Sequence, residues 1–262
     1  MENELVSVIT PVYNCERYIE DAINSVISQT YENWEMILVD DCSSDKSFEI
    51  INEYCKKDNR IKLFKLEKKS GAAIARNKAM EMAKGRFLAF LDGDDIWVEK
   101  KLEIQVKLMK ENNSAISHGD YEVIAEDGSS MNKIVKVPKE ITYEQYLRNT
   151  IIQTVTVMID REKTGDIRMP NIEMRQDFAT WLAILKRGYT ALGINEVLGK
   201  YRRVGKSLSS NKFKTMRKNW YVYRKIEKLS LIKSIYCFIG YAFNATLKRV
   251  NFRQIKAILN MI

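Results

Sequence analysis

The chain has 262 residues, 45% of them hydrophobic, which is enough to bury a substantial core in one large domain or in one domain with an appendage. It contains one histidine, His118, which excludes histidine-rich metal sites and a histidine-based catalytic triad elsewhere in the chain. The net charge of +9 comes from residues 201–262, where 15 Lys and Arg residues stand against Glu227 alone, and this basic quarter indicates an acidic partner for that segment.

The first part of the chain alternates apolar strands and amphipathic helices at short intervals. Strands are predicted at residues 5–10, 36–39, 61–66 and 87–91, and helices at 16–28, 44–54, 72–84 and 98–111. Near-continuous apolar strands that alternate with helices are typical of a parallel sheet covered on both faces. We therefore expect an α/β fold.

The pattern loosens after residue 111, where strands and helices no longer alternate regularly. Strands are predicted at residues 115–125, 134–137, 154–160 and 197–203, and helices at 143–148 and 178–186. The sequence shows no internal repeat, so we expect this half to complete the same fold rather than to duplicate it.

Residues 229–247 form an apolar stretch in which Lys233 is the only formal charge. A membrane-spanning helix needs about 20 predominantly apolar residues, so the length of this stretch does not exclude one. Polar residues such as Ser234 and Asn244 interrupt it, however, and basic clusters flank both ends. Three interpretations stay open: a helix lying in the membrane interface, a buried packing helix, and a true span.

The carboxyl ends of the first four predicted strands carry polar motifs. In an open parallel sheet, ligands bind at this edge. The strands lead in turn to Thr10, Pro11, Val12, Tyr13 and Asn14; to Asp40 and Asp41; to Arg76; and to Asp92, Gly93, Asp94 and Asp95. We therefore expect one rim of the sheet to collect several carboxylates and an arginine, which fold stability alone does not require.

Three carboxylates within residues 92–95, at the end of a buried strand, call for a compensating charge. Like charges about 4 Å apart repel by roughly 4 kcal/mol at an effective dielectric of about 20. A divalent ion would offset this repulsion, and hard oxygen ligands suit Mg²⁺ or Mn²⁺. A solvated acidic turn is the alternative for this cluster, and a helix-capping turn is the alternative for Asp40 and Asp41.

Five blocks of the sequence, in order along residues 5–110, resemble the family 2 glycosyltransferases. The blocks are Val8-Ile9-Thr10-Pro11-Val12-Tyr13-Asn14, Ser28-Gln29-Thr30-Tyr31, Ile37-Leu38-Val39-Asp40-Asp41-Cys42-Ser43-Ser44-Asp45, Gly71 to Ala75-Arg76-Asn77, and Phe90-Leu91-Asp92-Gly93-Asp94-Asp95-Ile96-Trp97. Downstream, Arg175-Gln176-Asp177 with Trp181 is similar to the acceptor-site motif of the family.

The resemblance implies the GT-A fold, a Rossmann-like, mostly parallel sheet flanked by helices, here with a helical, basic C-terminal extension. Residues 1–110 would be the nucleotide-sugar-binding half, and residues 111–210 the acceptor-binding half of the same domain. Residues 211–262 would form a basic amphipathic helical tail that associates with a membrane.

The resemblance also implies roles for individual residues. Asp94 would ligate Mn²⁺ or Mg²⁺ at the diphosphate, and Asp177 would be the catalytic base of an inverting transfer. A helix N-cap ahead of residues 178–186 is the alternative for Asp177. The nucleotide would be bound by Pro11, Val12, Tyr13, Asn14, Asp40, Asp41, Arg76, Asp92 and Gly93. Contacts with the diphosphate or the acceptor are expected from Gln176, Trp181, Arg202, Lys206 and Ser207.

The chain departs from the pattern of the family at three points. Gln176 stands where a glutamate usually precedes the base. Lys69 stands where an asparagine is often found, two residues before Gly71. No histidine follows His118 to join a metal site, as one does in some relatives.

By the same resemblance we expect a UDP-sugar donor and a saccharide acceptor carried on a polyprenyl diphosphate, in the synthesis of a bacterial surface polysaccharide. Trp220, Tyr221 and Tyr223 stand among basic residues ahead of the apolar stretch, a composition that suits the headgroups of an anionic membrane. We expect a cytoplasmic enzyme held peripherally on the inner face of the cell membrane, and no nucleic-acid partner.

Other functions fit the sequence less well. A nucleic-acid-binding protein with a basic C-terminal arm would explain the charge but not the acidic rim, which would repel phosphates. A phospho-acceptor receiver domain would use Asp40 and Asp41 but leave residues 92–95 without a purpose. A sugar nucleotidyltransferase shares the architecture, but the first strand is not followed by a glycine-rich loop.

Overall fold

The computed structural model describes residues 4–205 and 212–247. The strands are β1 (Val6–Val12), β2 (Trp34–Asp40), β3 (Ile61–Lys65), β4 (Phe87–Phe90), β5 (Ile96–Trp97), β6 (Ile116–Ile124), β7 (Ser130–Val135), β8 (Glu140–Ile141), β9 (Met158–Asp160) and β10 (Ala191–Arg202). The helices are α1 (Ile19–Ile27), α2 (Ser47–Lys57), α3 (Ala72–Met82), α4 (Lys101–Glu111), α5 (Tyr143–Arg148), α6 (Arg161–Thr164), α7 (Gln176–Leu185), α8 (Lys212–Tyr221) and α9 (Leu231–Leu247).

The described strands form one mixed sheet in the order β3-β2-β1-β4-β9-β6-β10-β5, with β7 paired to β6 and β8 to β10. β1 to β4 are parallel to one another, whereas β9 runs antiparallel between β4 and β6. Every residue of β2 is buried, and so is every residue of β1 except Pro11. This burial confirms the predicted parallel arrangement, in which the central strands are covered on both sides.

Helices cover the two faces of the sheet and divide the core into two clusters. Ile23 of α1 and Leu102 of α4 lie in the cluster on one face. Ala79 of α3 and Leu182 of α7 lie in the cluster on the other. Because successive side chains of a strand point to opposite faces, the apolar strands supply both clusters at once.

Several strands of the second half differ from the prediction: β7 spans Ser130–Val135 instead of residues 134–137, and β8 was not predicted. Only Met158–Asp160 pairs as β9, and Thr154–Thr156 forms a 3₁₀ turn ahead of it. β9 pairs with β4 over three residues and with β6 over two. β10 begins at Ala191, earlier than predicted, and register shifts between Ile194 and Gly199 divide it into two segments.

The C-terminal helices are joined to the same core. A π-helical turn, Val222–Ile226, buries Tyr223, whose hydroxyl donates a hydrogen bond to Leu147 O at 2.6 Å. Cys237 of α9 is fully buried in the cluster that contains α7. The part of the predicted tail that the structure describes is therefore helical, and one of its faces belongs to the core. Among the described residues, no helix combines the length and the hydropathy that crossing a bilayer requires.

Candidate active site

The loops after β1 and β2 are fixed to each other by Asn14. This residue has a positive φ of 48°, a conformation that asparagine adopts more readily than most residues. Its side-chain oxygen accepts a hydrogen bond from Ser44 N at 2.8 Å, and its backbone N–H donates to Ser43 Oγ at 3.1 Å. Pro11 and Val12 precede this turn at the end of β1. Asn14 therefore shapes the rim by holding two strand ends together.

The carboxylates of Asp40 and Asp41 are buried and accept hydrogen bonds from backbone amides. Asp40 accepts from Ser43 N at 3.1 Å and so closes the loop after β2; it does not cap α2, which begins at Ser47 after the N-cap residue Lys46. Asp41 accepts from Ser70 N at 2.6 Å and from Gly71 N at 2.8 Å, so it fixes the loop that leads into α3. Each oxygen of Asp41 keeps a second lone pair, which is compatible with a further donor from a nucleobase.

Tyr13 presents an aromatic face at the same rim. Its side chain is 44% exposed, and Lys69 Nζ lies 3.8 Å from the centroid of its ring. A cation over a ring at this distance is attracted by the negative face of the π system. Lys69, a departure from the pattern of the family, thus places a positive charge next to the position expected for the nucleobase of the donor.

Arg76 of α3 connects the strand ends. It is 6% exposed, and its Nη2 donates to Asp92 Oδ1 at 2.5 Å. Burial opposes the charge of this guanidinium, but the carboxylate of Asp92, followed by those of Asp177 and Asp94, raises the pKa of Arg76. Arg76 therefore interacts electrostatically both with Asp92 and Asp94, which follow β4, and with Asp177, the candidate catalytic base, which lies far away in the sequence.

The cluster after β4 forms a tight turn with an excess of negative charge. Burial, together with the charge of Asp92, raises the pKa of Asp94 to about 6. Burial and the charges of Asp94 and Asp92 raise the pKa of Asp95 well above its ordinary value. Gly93 packs closely against Cys15, because a Cβ there would lie 2.9 Å from Cys15 Sγ. The turn is thus built to hold carboxylates close together at a cost that a bound cation would relieve.

Arg202 does not point to a diphosphate, which corrects the interpretation from sequence. It is 2% exposed, and its guanidinium donates to Asp94 O at 2.8 Å, Glu126 O at 3.0 Å and Asp21 Oδ2 at 2.8 Å. Its backbone N–H donates to Asp95 Oδ1 at 2.9 Å. Each nitrogen of this guanidinium donates a hydrogen bond to a protein group, so Arg202 stabilises the acidic turn formed by residues 92–95.

Asp177 lies in the first turn of α7, after a strained residue. Arg175, which precedes the helix, has a φ of 69°, a left-handed conformation that costs energy in a residue with a Cβ. Thr154 Oγ1 donates to Asp177 Oδ2 at 3.3 Å. The carboxylate of Asp177 is therefore oriented by the hydroxyl of Thr154, which lies in the 3₁₀ turn. The sequence gives no functional prediction for Thr154.

The other predicted acceptor residues lie in different environments. Gln176 is the first residue of α7 and is partly exposed, next to Asp177. Trp181 is fully buried and packs edge-to-face on Phe90 with ring centroids 5.0 Å apart. Its predicted contact with an acceptor is therefore corrected to a core role, because no part of the side chain reaches the surface. Lys206 and Ser207 lie outside the described residues.

The carboxylates of the acidic turn fit a divalent metal that is shared with a substrate. Across the described residues, no three His, Cys, Asp or Glu side chains converge on one point as a complete site. Mg²⁺ is commonly bound by one or two carboxylates together with phosphate oxygens, and Mn²⁺ accepts the same ligands. Asp94, with Asp92 beside it, supplies that number of oxygen ligands, and burial together with the charge of Asp92 disfavours the ionised form of Asp94, a cost that a bound cation would offset.

The rim thus combines three chemical capacities. Tyr13 and Asp41 offer an aromatic face and a hydrogen-bond acceptor, Asp94 offers a hard ligand for a metal, and Asp177 offers a carboxylate base. Thr154 was missed because a threonine among apolar residues carries no local signal of its partner 23 residues away. The positions suit a nucleotide diphosphate with a reacting group between the metal and the base.

Comparison with known proteins finds a matching family and similar sequences. A model of the family described as glycosyl transferase family 2 matches residues 7–166. The chain is similar to a Bacillus subtilis (strain 168) protein named teichuronic acid biosynthesis glycosyltransferase TuaG. The two are 53% identical over 246 residues, which cover 94% of this chain and 98% of the relative. This chain is 42% identical over 221 residues, 84% of its length and 85% of the relative, to an Escherichia coli protein named UDP-Glc:alpha-D-GlcNAc-diphosphoundecaprenol beta-1,3-glucosyltransferase WfgD.

Solved structures of low sequence identity share the fold. S. aureus TarS 1-349 in complex with UDP-GlcNAc matches with a TM-score of 0.69 at 22% identity, over 90% of this chain and 71% of that one. The mannosyltransferase PcManGT from Pyrobaculum calidifontis, in complex with GDP-Man and Mn²⁺, matches with a TM-score of 0.68 at 17% identity, over 97% and 78%. These likenesses confirm the GT-A fold predicted from the sequence blocks.

Proposed function

The chain belongs to glycosyl transferase family 2, and from that premise we propose that it moves a sugar from a UDP-sugar to a saccharide carried on a polyprenyl diphosphate, with inversion at the anomeric carbon. The position of Arg76 carries the proposal, because it contacts Asp92 and lies in the field of Asp94 and Asp177. The name of the E. coli relative, with its UDP-Glc donor and diphosphoundecaprenol-linked acceptor, supports the two substrate classes. Membership of this family decides against the nucleotidyltransferase and receiver-domain alternatives.

The donor would lie along the rim with its base at Tyr13. The exposed ring offers a stacking surface, and the free lone pairs of Asp41 would accept the N3–H of uracil. Asp92 would face the ribose or the donor sugar, held by Arg76. When bound at Asp94, Mn²⁺ or Mg²⁺ would supply Lewis-acid stabilisation of the departing diphosphate.

Asp177 would act as the base on the acceptor side. Inversion in a single displacement requires one base on the face of the sugar opposite the leaving group, and no second protein acid. The carboxylate would accept the proton of the attacking hydroxyl while Thr154 keeps it oriented. Gln176, partly exposed beside it, would contact the acceptor.

The proposed acceptor places the enzyme at the inner face of the cell membrane. A saccharide on a polyprenyl diphosphate is anchored in the bilayer, so the enzyme must act at the headgroup layer. Residues 212–247 carry Glu227 as their single acidic residue and are strongly basic, which suits anionic headgroups. Peripheral attachment from the cytoplasm is therefore part of the proposal.

A thermal-shift measurement tests the donor assignment. We expect UDP with Mn²⁺ to raise the melting temperature more than GDP or CDP with Mn²⁺, and more than UDP alone. A ligand at 100-fold excess over its Kd stabilises a protein by about 2.7 kcal/mol, which corresponds to a shift of roughly 5–10 °C for a chain of this size. Equal shifts for the three diphosphates would contradict the choice of uridine.

Thr154→Val tests the orientation of the base. Valine keeps the shape of threonine but cannot donate to Asp177, so we expect kcat to fall by about tenfold, the equivalent of losing a hydrogen bond to a charged group. The KM for the donor should stay unchanged because Thr154 is not part of the rim. Thr154→Ser retains the hydroxyl and should restore most of kcat. Equal losses in the valine and serine variants would assign Thr154 a packing role instead.

A further inference from the structure

Helix α9 exposes an unusually apolar face. Its exposed large hydrophobic side chains, which we call the outer strip, are between 45% and 82% exposed. The outer strip consists of Leu231, Ile232, Ile235, Tyr236, Ile239 and Phe243. Half of the exposed large hydrophobic residues in the described part of the chain belong to it. Because they recur at intervals of three and four, they form a continuous stripe along the helix.

The opposite face of α9 is fully committed to the protein. Ser234 and Cys237 are buried, and Tyr241 is 8% exposed. Polar contacts fix the helix on α5: Lys233 Nζ lies 2.6 Å from Glu144 Oε1, and Asn244 Nδ2 donates to Arg148 O at 3.1 Å. The outer strip is therefore not the face by which α9 packs on the core, since α9 buries its opposite face there.

The basic residues that flank α9 in the sequence indicate what covers the outer strip. Residues 212–247 contain eight Lys and Arg residues and one acidic residue, Glu227, which is buried against Lys186. Arg217, Lys225 and Lys228 are exposed and form no ion pair with another described residue. A second copy would bring an identical positive surface against this one, and residues 248–262 contain only basic charged residues. An anionic surface with an apolar interior complements both features.

We infer that the outer strip docks into the headgroup layer of an anionic lipid bilayer, with the neighbouring lysines and arginines on the lipid phosphates. This inference rests on the proposed lipid-linked acceptor and names the surface that brings the site to it. A helix with an apolar stripe and basic flanks lies in the plane of the membrane interface rather than across it. The described part of α9 has 17 residues, about 25 Å of helix, whereas the hydrocarbon core is about 30 Å thick.

The fold connects this surface to the candidate base. Arg175 Nη2 donates to Tyr241 Oη at 3.5 Å, and Arg175 is the residue directly before α7. Asp177 follows in the first turn of that helix. The inner face of α9 thus contacts the segment that positions the base, so docking of the outer strip would hold Asp177 near lipid-linked saccharides.

Vesicle flotation of the full chain tests the inference. The probe is a vesicle of equal parts phosphatidylglycerol and phosphatidylcholine, compared with pure phosphatidylcholine. We expect the wild type to bind the anionic vesicles, and the triple variant I232E/I239E/F243E to bind at least about tenfold more weakly. The matched control, M131E/I134E, changes exposed hydrophobic residues of β7 that are 43% and 54% exposed and should bind like the wild type. Equal binding by the wild type and the triple variant would overturn the inference, as would failure of the wild type to bind.

Two further measurements separate the other occupants and guard against misfolding. The first is light scattering after size exclusion. If the wild type were a dimer and the triple variant a monomer, the strip would be assigned to a second copy of the chain and the inference would be overturned. Phe243→Trp adds a fluorophore to the strip without a charge. Because the chain has four native tryptophans, quenching is measured as the difference from the wild type, and we expect brominated lipids to increase it more in Phe243→Trp than in Met131→Trp. Unquenched fluorescence at position 243 with bound vesicles would place the contact elsewhere and overturn the inference.

The consequence for catalysis can be separated from the proposed function itself. The triple variant should lose transfer to an acceptor embedded in vesicles by about tenfold or more, yet keep its rate with a water-soluble acceptor analogue. Loss of both activities alike would contradict a docking role. The UDP thermal shift involves no lipid, so failure of the donor assignment and failure of docking give different results.

Discussion

Asp177→Asn is expected to abolish most turnover while leaving donor binding intact. The amide has the shape of the carboxylate and still accepts the hydrogen bond from Thr154, but it cannot take up the proton of the attacking hydroxyl. General bases contribute about 100- to 10,000-fold to rate, so we expect kcat to fall by about 1,000-fold. Steady-state kinetics with the UDP-sugar, combined with the UDP thermal shift, measure the two quantities separately.

The matched control for this variant is Asp166→Asn. Asp166 is 90% exposed and pairs with Arg161 on the surface, away from the rim. It undergoes the same chemical change, and its kcat should remain within a factor of about two of the wild type, since surface substitutions have little effect. Near-normal turnover in Asp177→Asn would show that the proton goes to another group, and the assignment of the base would then be withdrawn.

Asp94→Asn is expected to make the free protein more stable and to remove the effect of Mn²⁺ on UDP binding. Burial and Asp92 raise the pKa of Asp94 to about 6, so the folded protein favours the protonated form. A raised folded-state pKa contributes stability below the unfolded pKa, near 4, and this contribution is lost as the pH rises through 6. At pH 7 a neutral asparagine should therefore gain about 1–3 kcal/mol, or a few degrees in melting temperature.

Asp95→Asn separates the relief of charge from the binding of metal. Asp95 is buried, and burial with the neighbouring charges also raises its pKa, so its asparagine variant should likewise stabilise the free protein. Its carboxylate faces Arg202 N instead of the open rim, and we expect the Mn²⁺-dependent UDP shift to survive. If Asp94→Asn kept that shift in a melting experiment, Asp94 would not be the metal ligand.

The alternation of apolar strands with amphipathic helices allowed the α/β fold to be predicted from the sequence. That pattern is a property of consecutive residues, and burial of β1 and β2 on both sides follows directly from it. The polar ends of these strands were also readable, because parallel strands deliver their carboxyl ends to one edge. The sheet order beyond β4 was not, since β9 enters between β4 and β6 through contacts of two or three residues.

The sequence by itself determined the fold class, the family and the acidic rim, because each depends on residue types at fixed local spacing. Only the tertiary structure decided which of the candidate site residues are buried and which are exposed. From the sequence, Arg202 and Trp181 were both expected to bind the diphosphate or the acceptor. In the structure both are buried: Arg202 donates to the turn at residues 92–95, and Trp181 packs in the core. Likewise, the contact between Thr154 and Asp177, and the division of α9 into buried and exposed faces, depend on residues brought together from distant parts of the chain.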